Sequence, residues 1–181
     1  MNAVREKQTK LHSTVIEPGT VRLERLLPGP AERIWAYLTE GDKRAKWLAG
    51  GEFDLRIGGK IRLEFDNGNL PNDARTAEKY KGRGKGVFEG VITRLEPLRL
   101  IAYTWKWDSI ESEVSYELSP RGKDVLLVIV HRNLTEQLVR NVTGGWDVHS
   151  GILADILNGV EPRPFWATHE RLEKEYAAAR A

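Results

Sequence analysis

Histidine titrates nearer neutrality than any other side chain, so the four histidines of this sequence are the first candidates for acid–base work. His131 follows Leu127 and Ile129 in an alternating apolar run, which points it to the dry side of a strand. His149 sits one turn after Trp146 in a helical stripe that continues to Leu153. Facing each other across one interior, His131 and His149 could act as acid and base, or as polar anchors for a bound molecule. A buried, neutral, fully hydrogen-bonded histidine is the plainer reading of either. His169 falls at the seam or surface of a later helical segment, and His12 falls in the N-terminal tail; neither is assigned a role. The aromatic residues form the second group. Tyr103, Trp105 and Trp107 share one strand face, Tyr116 lies on the next strand, and Trp35, Trp47 and Trp146 fall on or beside helices. Such rings either fill a core or line a cavity whose indole and phenol tips orient a ligand. The candidate ligand-binding residues are therefore Trp35, Trp47, Tyr103, Trp105 and Tyr116, with His131, Trp146, His149 and Leu153.

Other chemistries find little support. There is no cysteine, which removes disulfides, thiolate zinc sites and cysteine nucleophiles. No HExxH or paired-histidine spacing is present, and Asp147 and His149 lie too close along a helix to converge on one ion, so no metal is expected. Glu111, Glu113 and Glu117 alternate along one strand face, where mutual repulsion marks the face as wet; a general acid needs burial to raise its pKa. Ser150 adjoins His149, but adjacent helical residues do not face each other, and no serine sits in a nucleophile elbow. The basic stretch Lys79–Lys85 lacks the order of a phosphate loop and offers only Tyr80 for base stacking. With a net charge of +2, nucleic acid is not an expected partner. Nothing calls for a cofactor. No apolar run reaches membrane-spanning length, and the N-terminus carries no apolar signal core, so a cytoplasmic protein without membrane insertion is expected.

The elements that must position these residues read as β-α-α-β-β-β-β-β-β-α. Val21–Leu27 is the first strand, and Pro30 opens a helix carrying Ile34, Trp35 and Leu38. A second short helix ends near Trp47. Phe53, Leu55 and Ile57, then Ile61, Leu63 and Phe65, alternate about Gly58-Gly59 and predict a hairpin. A polar loop follows, from about Asn69 to Lys85. Four strands come next, near Lys85–Leu95, Leu98–Trp107, Ile110–Leu118 and Asp124–Arg132. Thr143 is the expected cap of the last long helix, and Gly159 its stop. With no crossover helix among the later strands the sheet must be antiparallel, and the late helix must cover its dry face.

At this level the chain resembles the START/Bet v 1-like superfamily, and within it the relatives of the activator of Hsp90 ATPase. The matching words are "ERLLPGPAERIWAYLTEGDKRAKWL", "FDLRIGGKIRLEF", "GKGVFEGVITRLEPLRLIAYTW", "SEVSYELSPRGKDVLLVIVHRNL" and "GGWDVHSGILADIL". The resemblance implies an α+β helix-grip fold. A strongly curved antiparallel sheet of about seven strands would wrap a long C-terminal helix, with two short helices after the first strand. The division expected is a flexible tail over 1–17, one domain over 18–160 and a helical extension over 161–181. The resemblance also implies an interior cavity for a small apolar or amphipathic ligand. Alternatives are a chaperone-binding module of the Hsp90-activator type and a cyclase-like enzyme using the pocket histidines. A homodimer is a further expectation.

Overall fold

The computed structural model describes residues 12–181. Its seven strands are β1 (Ser13–Glu17), β2 (Thr20–Pro28), β3 (Lys60–Asp66), β4 (Lys85–Glu96), β5 (Leu100–Trp107), β6 (Ile110–Arg121) and β7 (Asp124–Arg132). They form one sheet in the order β1-β2-β7-β6-β5-β4-β3, antiparallel at every pairing. Helices α1 (Ala31–Thr39) and α2 (Gly41–Arg44) follow β2, α3 (Ala74–Lys79) lies between β3 and β4, and α4 (Glu136–Leu157) and α5 (Phe165–Arg180) end the chain.

Register decides which side chains share the covered face. Val21 stands opposite His131, His131 opposite Val114, Val114 opposite Tyr103, and Tyr103 opposite Ile92. Directly opposed residues point to the same side of a sheet, and all five are buried. Helix α4 lies across this row. The Trp146 ring meets those of Trp105, Tyr116 and His131 edge-on, each at 5.9 Å between centroids. On its other side α4 holds Asp147, which pairs with the buried Arg25 of β2 at 2.7 Å and accepts the Tyr176 hydroxyl of α5 at 2.6 Å.

Several local expectations change. Helix α4 begins about two turns before Thr143; its cap is Thr135, whose hydroxyl accepts the Leu138 N–H. Ser13–Glu17, expected in a tail, pairs with β2 as an edge strand, while the earlier residues of that tail lie outside the described ones. The hairpin around Gly58-Gly59 has only one regular arm. Gly50–Asp54 exchanges backbone hydrogen bonds with β3, but Leu55 and Ile57 turn out to solvent. The buried Arg44 guanidinium takes the carbonyls of Gly50 and Gly51, and Gly51 has φ of +90°. That capture and that dihedral bend the arm away from strand geometry. The polar loop gains structure too: α3 is capped by Asp73 and docks on α5. Among the described residues no helix is long and apolar enough to cross a membrane.

Candidate functional site

A cavity of about 290 Å³ lies between strands β3–β5, the middle of α4 and the start of α5. The strands supply aromatic rings on one face. Trp105 and Trp107 stand two residues apart on β5 and stack in parallel, 5.4 Å between centroids and 7° between planes. Phe88 of β4 leans on Trp107 at 4.8 Å, and Phe65 of β3 stacks on Trp105 at 5.4 Å. Helix α4 contributes Trp146 and His149, one turn apart, and α5 contributes Phe165, Trp166 and His169 on the same helical spacing.

Within this aromatic wall three polar atoms have no partner. The indole N–H groups of Trp105 and Trp107 and the side-chain carbonyl of Asn67 are sealed from solvent and unbonded among the described residues. Each such buried group costs about 1–3 kcal/mol, and all three residues line the same cavity. His149 adds an acceptor. Its Nδ1–H donates to the Trp47 carbonyl at 2.7 Å, which leaves Nε2 carrying the lone pair. Burial holds this ring neutral, its pKa pushed down to about 4. No carboxylate lines the cavity; Lys85, paired with Asp66 at 3.2 Å, is the one cation at its edge.

Helix α4 carries a second mark. Gly144 and Gly145 lie in its interior, where each glycine costs about 1 kcal/mol relative to alanine. A Cβ at either position would meet nothing within 4 Å, so packing does not demand glycine there. Gly151 on the same helix differs: its Cβ would lie 2.6 Å from the Arg163 guanidinium. Gly145 borders the cavity, so its missing side chain is room kept open.

Of the residues singled out from sequence, Trp105, Trp146 and His149 come together on the cavity wall. His131 is buried behind them. The Trp146 indole N–H donates to its Nδ1 at 3.1 Å, so Nε2 carries the proton and donates to Ser112 Oγ at 2.8 Å; Ser112 in turn donates to the Trp105 carbonyl at 2.8 Å. Burial pushes its pKa down to about 3. His131 and His149 therefore do not face each other; the rings of Trp105 and Phe65 stand between them. Tyr103 and Tyr116 bond each other, hydroxyl to hydroxyl at 2.8 Å, and desolvation raises both phenols, Tyr103 to about 12. Trp47 spends its N–H on the Tyr37 carbonyl at 2.9 Å. Leu153 lies in the core, and Trp35 packs half-buried against it. Sequence reasoning missed Phe65, Phe88, Phe165, Trp166 and Asn67. Alternation placed Phe65 on an apolar face, but only tertiary structure brings α5 to that face. Among the described residues no group of side chains is arranged to hold a metal ion.

The antiparallel seven-stranded sheet, the two short helices after β2 and the long helix on one face define a helix-grip domain of the START/Bet v 1-like kind. The family model described as "Activator of Hsp90 ATPase homolog 1-like protein" matches residues 28–158, and the chain belongs to that family. Its structure is similar to the solution NMR structure of the protein encoded by gene BPP1335 from Bordetella parapertussis, at 39% identity and TM-score 0.76, covering 93% of this chain and 90% of that one. CalU16 from Micromonospora echinospora shares the fold at 22% identity and TM-score 0.65, covering 88% and 86%. The Aha1 dimer from Colwellia psychrerythraea does so at 18% identity and TM-score 0.57, covering 76% and 95%. No curated protein matches the chain.

Proposed function

We propose that this domain binds a compact amphipathic small molecule in the cavity between β3–β5, α4 and α5. The carrying observation is the opening itself, about 290 Å³ walled by Phe65, Phe88, Trp105, Trp107 and Phe165 and kept free on the α4 side by the bare backbone of Gly145. Cavity size supports a modest ligand: about 290 Å³ falls at the lower edge of small-molecule pockets, which run from about 300 Å³. Binding supports the geometry better than acid–base catalysis does. His131 has both ring nitrogens engaged, and neither buried histidine has a carboxylate to orient it or to stabilise its charged form.

Gly145 provides the test. Gly145→Leu projects a side chain toward the cavity from a position where a Cβ meets no obstacle. The variant should fold, with stability unchanged or raised by up to about 1 kcal/mol from helix propensity. Native mass spectrometry of the wild-type protein should show a co-purifying small molecule that the variant lacks, and Gly145→Ala should be intermediate. Equal occupancy in all three proteins would refute the placement. Ligand-free protein that instead captures an Hsp90-type chaperone would replace this reading with that of an interaction module.

A further inference from the structure

Burial decides which polar atoms of the cavity wall a bound molecule can reach. The Trp105 and Trp107 N–H groups and the Asn67 carbonyl are sealed, so they stay out of reach. Trp146 spends its N–H on His131. His149 differs on both counts. Its Nδ1–H is committed to the Trp47 carbonyl at 2.7 Å, and a neutral ring so committed presents a bare lone pair at Nε2. That nitrogen takes no hydrogen from the described residues and is not among the sealed atoms, although the residue is only 6% exposed. Phe65 and Phe165, both of the cavity wall, flank the ring at 6.1 and 4.8 Å. His169, with its pKa also lowered by desolvation, adds a second imidazole nearer the solvent. Resting on the cavity-binding reading above, we propose that the ligand is a phenol, an aromatic body packed among the rings of β3–β5 and α5 with a hydroxyl that donates to His149 Nε2. A hydroxyl accepts as well as donates, so it also tolerates the donors of the wall, Trp166 and Lys85. A ketone or ether oxygen would meet the Nε2 lone pair acceptor to acceptor, and it could not replace the bond that water makes there. An amine cation finds no carboxylate on the wall.

Ring-matched probes test this: naphthalene, naphthol, and methoxynaphthalene, which keeps the oxygen and lacks the donor. The cation naphthylmethylammonium is the fourth. Binding is followed by calorimetry and by the imidazole nitrogen resonances of isotope-labelled protein. Naphthol should bind about tenfold more tightly than its methyl ether, the equivalent of one good hydrogen bond. It should also move the His149 Nε2 resonance upfield, as a lone pair does on accepting a hydrogen. The His131 Nδ1 signal should stay, since that nitrogen already accepts from Trp146. His149→Asn puts an amide nitrogen in the place of Nδ1, which keeps a donor for the Trp47 carbonyl and removes the Nε2 lone pair. In that variant the preference for naphthol over the ether should disappear. If it fails to fold, the wild-type affinity ratio and the His149 resonance decide alone. Naphthol and ether binding alike, or a His149 signal that naphthol leaves unmoved, overturns this inference and leaves the cavity reading standing. So does a preference for the cation, or a naphthol preference that survives in folded His149→Asn. Absence of binding by every probe overturns it as well; whether the cavity reading falls too is read separately, from the co-purifying molecule that Gly145→Leu should lose.

Discussion

At the scale of single residues, His131 shows how far a pattern carries. Alternation with Leu127 and Ile129 points it inward, and it is wholly buried. What alternation cannot supply is the partner set, because Trp146 and Ser112 arrive from different elements. Those partners make His131 a keystone rather than a ligand anchor: it joins β7, β6 and α4 through one neutral ring stacked on Trp105 at 5.4 Å. Its replacement should therefore act on stability first. His131→Leu leaves the Trp146 N–H buried and unbonded and removes one ring stack, a loss of about 2–4 kcal/mol. Chemical denaturation should show that loss, while calorimetry finds ligand affinity changed by only a few-fold. A variant of native stability with no ligand affinity would return His131 to the site. The cavity residues Trp105, Trp146 and His149 were legible for the same reason His131 was, since each lies on the apolar face of its own element. Their orphaned or engaged hydrogen bonds were not, because those depend on distances across the fold.

Elements were legible wherever periodicity was uninterrupted, and misread where glycine or edge position blurred it. Strands β4 to β7 have clean alternation and short turns, and their antiparallel order follows. The glycine pair in α4 looked like a helix start because glycine is a poor helix former. The helix runs through it because its covered face, from Leu138 to Leu157, is held by packing. Edge strand β1 offers few core side chains, and so carried little signal. The joint between α3 and α5 was invisible for another reason: its parts lie about ninety residues apart in sequence. Tyr80 stacks on Trp166 at 4.5 Å and donates its hydroxyl to Glu170 at 2.6 Å, with Arg75 and Lys79 bonded to the same carboxylate. This latch closes the cavity wall on the α5 side. Because its cations are exposed, the ion pairs add little to global stability. Glu170→Gln should speed hydrogen exchange of the α3 amides and of the segment to Arg83, while the unfolding midpoint barely moves. Exchange that is unchanged in α3 would show that the latch does not hold it.

For the molecule as a whole, layer logic was enough to foresee a helix laid on the dry face of an antiparallel sheet, since no other long apolar element was available to cover it. That architecture has a consequence in acid. It encloses His131 and His149 with no carboxylate against either: His131 touches Ser112, Trp105 and Trp146, and His149 touches the Trp47 carbonyl, Phe65 and Phe165. Burial lowers their folded pKa values to about 3 and about 4, from 6.5 in the unfolded chain. Above about pH 7.5 both rings are neutral folded or unfolded, and they impose no penalty. As pH falls below that value the unfolded chain takes up two protons that the folded domain refuses, so stability must fall with pH. Each histidine contributes up to about 1.4 kcal/mol per pH unit. His169 and His12, also lowered by desolvation, act in the same sense. The Glu170 carboxyl, held down to about 2 chiefly by Lys79, acts in the same sense only as pH falls toward its unfolded value of 4.5, at the acid edge of this window. Urea unfolding between about pH 7.5 and about pH 5 should therefore show a flat region, then a decline reaching at least about 3 kcal/mol per pH unit, the two-group slope of His131 and His149. In His131→Leu the decline should be shallower by about one group's slope, roughly 1.4 kcal/mol per pH unit. A wild-type stability that stays level down to about pH 5 would mean that water or charge reaches these rings, and that the interior is not sealed around them.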